Sequence, residues 1–235
     1  MSLKSERTMK LLTKYIQSLC HLPLGRLGGA LLLCFLVSCG TAAAQQPATP
    51  EQQAQLISEI NAAAKDIQTL QCDFTQTKTL SLMNDKMVRQ GAMTFAQPAK
   101  LRWRYTTPYD YTFIISDDKV HIAKGSKRNS IDIKSSQVFQ EIVRLMAGSV
   151  TGRCLTQTKD FSVKMLIAEK SYIAVLTPKD KQLKKMFQTI RLTFDRARKI
   201  VTTVEMTEAT GDATVIEFQH IQQNKPVSAK TFSLD

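Results

Sequence analysis

Histidine is nearly missing from this chain, and with it much of the acid–base and metal chemistry available near neutral pH. Three histidines occur in 235 residues. Beyond residue 44 they are His121 and His220. Neither lies in a His-Glu-x-x-His pattern and no cysteine pair has zinc-ligand spacing, so no metal centre is expected. There is no Gly-x-Ser-x-Gly elbow, no phosphate-cradling glycine loop and no dinucleotide fingerprint, so no cofactor is expected either. Asp117-Asp118 is a carboxylate pair, but between two strand-like runs it reads as a solvated turn. His121, between Val120 and Ile122, reads as a structural or surface residue. The chain is therefore expected not to be an enzyme. Also absent are internal repeats, low-complexity blocks and any apolar run of about 20 residues, the length a membrane-spanning helix needs.

A shorter apolar run is present, from Ala30 to Val37. Lys4, Arg7, Lys10, Lys14 and Arg26 precede it, and Thr41-Ala42-Ala43-Ala44 follows. Positive flank, short apolar core and small-residue end make residues 1–44 a secretory signal, to be removed before Gln45. Leu36-Val37-Ser38-Cys39 also resembles a lipobox, so the alternative is a membrane-tethered lipoprotein acylated at Cys39. About 190 residues remain, enough for one domain over 45–235. Without the leader's basic residues and Glu6, the net charge falls from +12 to +8. An exported protein is not expected to meet nucleic acid. Its excess positive charge suits an anionic membrane surface, an acidic partner, or simply a solvated surface. The runs Lys124–Arg128, Lys179–Lys185 and Arg196–Lys199 all fall where turns are expected. Cys72 and Cys154 survive cleavage; an oxidising compartment permits a disulfide between them, and two buried thiols are the alternative.

Helix signals open the mature segment. Thr49 can cap, Pro50 suits the first helical position and Gln52 completes a capping box. Leu56, Ile57, Ile60, Ala64 and Ile67 then recur at helical spacing. From Leu70 the period changes to two. Cys72 and Phe74, then Gly91, Met93 and Phe95, then Leu101, Trp103 and Tyr105 alternate with polar neighbours, as in half-buried strands. Tyr111–Ser116 and Val120–Ala123 flank a turn at Asp117-Asp118; Phe161–Ala168 and Tyr172–Thr177 flank another. Phe187–Phe194, Ile200–Thr207, Ala213–Ile221 and Lys230–Leu234 continue the series. The pattern predicts an α+β, β-rich fold of about eleven strands, mostly antiparallel because the connections are short. Ser136 to Ala147 reads as a second helix, stopped by Gly148, with an apolar face wider than a surface helix needs. Curling the sheet and laying both helices across its apolar face would cover all of these surfaces.

Several of these pieces together resemble a known family. Cys72-Asp73-Phe74-Thr75-Gln76-Thr77 is similar to the Phe-Thr-Gln strand of LolA-type periplasmic lipoprotein carriers. Gly91-Ala92-Met93-Thr94-Phe95, Pro98, Leu101-Arg102-Trp103-Arg104-Tyr105 and Pro108 resemble that family's glycine–proline–tryptophan–proline series. Ile115-Ser116-Asp117-Asp118-Lys119 and Leu176-Thr177-Pro178-Lys179 fit it too, with a likeness to its Bacteroidetes branch. The resemblance implies an unclosed eleven-stranded barrel with a helical lid over an apolar cavity. It also implies a soluble periplasmic monomer that takes acylated lipoproteins from an inner-membrane ABC transporter to an outer-membrane acceptor. In one respect the chain departs from the pattern. Where enterobacterial members carry a lid-bonding arginine before the proline, this chain has Gln97, which lacks the strength of a charge-assisted bond. Arg102 and Arg104 are the candidate substitutes, although the alternation points both away from Trp103's face.

Carrying acyl chains is a burial problem. Each methylene contributes roughly 0.8 kcal/mol, so a 16-carbon chain represents about 12 kcal/mol, and a carrier must let go again. Broad, adaptable apolar walls and a movable cover meet that need. The wall candidates are Met93, Phe95, Trp103, Tyr105, Phe113 and Ile115. The cover candidates are Phe139, Ile142, Val143 and Met146, joined by Leu56 and Ile60. The alternatives are a carrier of free lipid or glycolipid, a lipid-binding sensor that binds an anti-sigma partner and would call for a second domain, and a periplasmic hydrolase acting through a histidine. Replacing Phe139 or Ile142 with a charged residue is expected to abolish lipoprotein binding and leave the sheet folded. Unchanged release of lipoprotein from inner-membrane vesicles would contradict this.

Overall fold

The computed structural model describes residues 45–83, 85–116, 118–132, 148, 153–156 and 159–234. The expected helix Ser136–Ala147, with the cover candidates Phe139, Ile142, Val143 and Met146, lies outside the described residues.

Helix α1 (Pro50–Lys65) begins as its sequence dictates. Gln52 N donates to Thr49 Oγ1 at 3.3 Å, and Thr49 N donates to Gln52 Oε1 at 2.9 Å. This reciprocal box satisfies two of the N–H groups that every helix start leaves open. Leu56, Ile60 and Ala64 form its buried stripe.

After α1 the chain forms a meander of β2 (Thr69–Leu80), β3 (Asp85–Ala96), β4 (Lys100–Thr107), β5 (Tyr111–Ser116), β6 (Lys119–Lys124) and β7 (Lys127–Asp132). A second meander follows: β8 (Phe161–Ile167), β9 (Ser171–Pro178), β10 (Phe187–Asp195), β11 (Val201–Glu208) and β12 (Ala213–Gln223). A two-residue strand, β1 (Gln46–Pro47), pairs with β8. The twelve strands make one antiparallel sheet in the order β1-β8-β9-β10-β11-β12-β2-β3-β4-β5-β6-β7. The two meanders join where β12 pairs with β2, from Ala213↔Thr79 to Gln223↔Leu70. The ends of this order, β1 and β7, do not pair, so the barrel is unclosed.

The structure corrects one local expectation and adds two elements. Lys230–Leu234 is no strand. Ala229–Phe232 is a 3-10 turn capped by Ser228, and its buried Phe232 lies at β4 and β5. Arg102 Nη1 donates to the carbonyls of Thr231 (3.0 Å) and Ser233 (3.2 Å), and Ser116 Oγ donates to that of Phe232. The segment's carbonyls are thus taken by side chains of the sheet, which leaves them unavailable to a strand ladder. The basic run Lys179–Lys185 contains a short helix, α2 (Lys181–Met186), started by Asp180, whose carboxylate accepts from Gln182 N and Leu183 N. The exposed β7 has no apolar alternation to announce it and is held by its ladder to β6.

Register places side chains in levels across the inner face. Leu70, Phe95, Leu101, Ile115 and Val120 share one level; Cys72, Met93, Trp103, Phe113 and Ile122 the next; Phe74, Gly91, Tyr105 and Tyr111 a third. Gly91 is needed there. A Cβ at this position would overlap the Arg104 carbonyl oxygen and come within 2.6 Å of the Phe74 ring. Gly91→Ala is therefore expected to cost on the order of 3 kcal/mol. Urea unfolding should show a lower midpoint with an unchanged slope; wild-type stability would show that the ring can step aside.

Candidate functional site

The inner face of β2–β5 is a continuous aromatic and aliphatic surface. Phe74 and Trp103 lie with ring centroids 4.3 Å apart, and Trp103 stacks on Phe113 at 6.2 Å with planes 14° apart. Tyr105 meets Phe74 edge-on at 5.3 Å, and Phe218 of β12 meets Trp103 edge-on at 6.1 Å. Such offset and edge contacts match the positive rim of one ring to the negative face of another. Met93, Phe95, Trp103, Tyr105 and Ile115 are buried and Phe113 is half-buried. All six expected wall residues thus share one face.

Leu56 and Ile60 are buried on α1, which lies across one end of the strands. Its first turns are tied to β8, where Met165 N donates to Gln53 Oε1 at 3.0 Å. Midway, Glu59 meets Lys199 of the β10–β11 turn at 3.3 Å, and Lys199 stands 4.5 Å from the Tyr172 ring centroid. The hydrogen bonds from Gln55 and Lys199 hold the Glu59 carboxyl below its ordinary range. At the far end, Gln97 Nε2 donates to the carbonyls of Ile67 (2.7 Å) and Lys65 (3.2 Å). Asn224 accepts from Gln68 N at 2.8 Å and donates to Asp66 O at 3.0 Å. These bonds satisfy backbone groups where the helix ends. Gln97 is therefore a tether for α1.

Both arginines beside Trp103 lie on the opposite face. Arg102 holds the C-terminal turn, while Arg104 makes a two-pronged bond to Asp110 at 2.7 and 3.1 Å. That bond keeps the Asp110 carboxyl below the usual aspartate range. The two histidines also serve local polar contacts: His121 Nδ1 is 2.8 Å from Ser130 Oγ, and His220 Nδ1 is 2.9 Å from Asp73 Oδ2.

Charge enters the inner face at the end remote from α1. Carrying the β2 alternation past Phe74 reaches Gln76 and then Lys78, with Arg89 opposite Gln76 on β3. Lys78 and Arg89 are buried. Lys78 Nζ lies 2.7 Å from Glu208 Oε1 and 3.7 Å from Asp212 Oδ2. Asp212 is in turn fixed by Ser81 N, which pulls its carboxyl below the ordinary range. Tyr105 Oη donates to Gln76 Oε1 at 2.8 Å, at the border between rings and charges. The wall candidates stopped short of these residues, although an unbroken period of two would have found them.

Cys72 carries a free thiol buried on the inner face. Beside the apolar Leu70 and Met93, the Cys72 thiolate loses its hydration; burial, aided by the neighbouring Asp73 charge, pushes the thiol up to about 12.

An unclosed antiparallel sheet with one wide aromatic face, and a helix tied across its end, defines a β-rich class of protein whose distinguishing surface is apolar. Comparison with known proteins makes the assignment definite. The family described as outer membrane lipoprotein carrier protein LolA matches residues 65–235, and the chain belongs to it. It is 27% identical over 190 residues to an outer-membrane lipoprotein carrier protein of Ralstonia nicotianae, covering 77% of this chain and 83% of that one. It is 23% identical to a protein of the same description from Chromohalobacter salexigens, covering 80% and 87% of the two chains. Among solved structures, a chain of the MucA/MucB complex of Pseudomonas aeruginosa is similar at 8% identity with a TM-score of 0.49, over 78% of this chain and 61% of that one.

The Cys72 environment yields a direct chemical expectation. In the folded protein at pH 8, iodoacetamide should leave Cys72 unmodified, and in urea it should react fully, as read by peptide mass mapping. Rapid alkylation in the native state would show that its thiol is not shielded.

Proposed function

We propose that this protein is a periplasmic carrier that covers the acyl chains of lipoproteins and moves them from the inner to the outer membrane. The observation that carries the reading is membership of the lipoprotein-carrier family over residues 65–235. The aromatic inner face supplies the physical means. On this reading residues 1–44 are a removed export signal and residues 45–235 the working domain. An inner-membrane ABC transporter hands the cargo over and an outer-membrane acceptor takes it.

No nucleophile or acid–base pair is needed, because the cargo moves between binding sites of rising affinity. At about 12 kcal/mol per fully buried 16-carbon chain, two chains would exceed the practical ceiling for noncovalent binding of roughly 18–21 kcal/mol. A releasing carrier therefore shields its chains only partly. An unclosed sheet suits that compromise, since it offers an apolar wall without sealing around the ligand.

Phe113 is the most informative wall position, being half-buried and stacked on Trp103. Phe113→Glu should retain the β-sheet circular dichroism spectrum and lose release of lipoproteins from inner-membrane vesicles by at least tenfold. Undiminished release by a folded variant would remove the inner face from the transport route.

A further inference from the structure

Trp103 Nε1 is buried and has no hydrogen-bond partner. Its N–H is the one buried side-chain polar group so left among the described residues. The ring sits in the middle of the inner face, 4% exposed, among Phe74, Phe113, Tyr105 and Phe218. None of the three phenylalanines has a side-chain acceptor. The nearby amide oxygen of Gln76 already accepts from Tyr105 at 2.8 Å. An N–H buried without a partner costs about 1–3 kcal/mol. A phenylalanine would supply similar apolar packing without that cost. The indole donor is thus unexplained by packing of the sheet itself.

We propose that the Trp103 indole N–H is the polar anchor of the lipid site, donating to the carbonyl oxygen of an acyl ester at the head of the bound chains. This rests on the carrier reading and adds to it a ligand chemistry and a depth. Indole is a donor only, so it selects an acceptor. An ester carbonyl is the acceptor that accompanies a fatty chain into an apolar site. The bond would be made where water cannot compete, and it would fix how far the chains descend past Trp103 toward Met93 and Phe95. Hydrocarbon alone, or a lipid with ether linkages, would leave the donor unsatisfied.

The test pairs two lipopeptides that differ only in linkage: an S-[2,3-bis(palmitoyloxy)propyl]cysteine peptide and its bis-hexadecyl ether counterpart. Their affinities for purified protein and for Trp103→Phe are measured by displacement of an apolar dye. Trp103 is the only tryptophan in the chain, so the single indole N–H resonance of ¹⁵N-labelled wild-type protein reports the bond directly. Wild type should bind the ester about tenfold more tightly than the ether, and the indole proton should move downfield with the ester alone. Trp103→Phe should bind both equally. Equal binding of the two by wild type, with the same small indole shift for each, would overturn the anchor and leave the carrier reading standing. Failure of wild type to bind either lipid would overturn both.

Discussion

A sheet with one broad apolar face must keep water off it, and here that requirement is met without closing the barrel. β1 and β7 end the strand order unpaired with one another. Full closure would have removed the edges and fixed the interior volume. Leaving the barrel open requires that the face be held by its own side-chain contacts and by elements laid against it. The contact between Phe74 and Gly91 is central to this, because the missing Cβ at Gly91 lets the Phe74 ring lie down beside Trp103 and Tyr105. From that group of rings the inner face extends across both meanders.

The two surfaces of the sheet are secured by different physics. On the inner face, rings and aliphatic chains give non-directional cohesion that tolerates rearrangement. At the end of the strands, α1 is held by directional bonds: Gln53 to Met165, Glu59 to Lys199, and Gln97 and Asn224 to the helix exit. On the outer face, Arg102 gathers the carbonyls of the C-terminal turn and Phe232 is buried at β4 and β5. The apolar surface is thus framed by contacts whose geometry is specific. The charged end formed by Lys78, Glu208 and Asp212 bounds the apolar area on the side away from α1.

What could be read from the sequence was mostly local. The Thr49–Gln52 box depends on four consecutive residues, and hairpin positions depend on turn chemistry between alternating runs, so both were legible. The shared face of the six wall candidates was legible because period-two alternation assigns a face without knowledge of the partner strands. Elements fixed by distant contacts were not. β7 owes its existence to pairing with β6, and the C-terminal turn to an arginine more than a hundred residues earlier. Lys230–Leu234 imitates a strand by alternation, yet it has one buried anchor, Phe232. Gln97 illustrates the same limit: its amide holds α1 through Lys65 and Ile67, a role visible only when the helix exit and the β3–β4 connection are seen together.

The central claim is that acyl chains lie against the ring cluster on the inner face. It is tested most directly by the fluorescence of Trp103, the sole tryptophan, on adding a lipopeptide whose acyl chains carry bromine atoms, which quench indole only on near contact. The account predicts strong, saturable quenching that an unbrominated lipopeptide does not produce. Saturable binding of the brominated lipopeptide with no loss of Trp103 emission would place the chains elsewhere and contradict it.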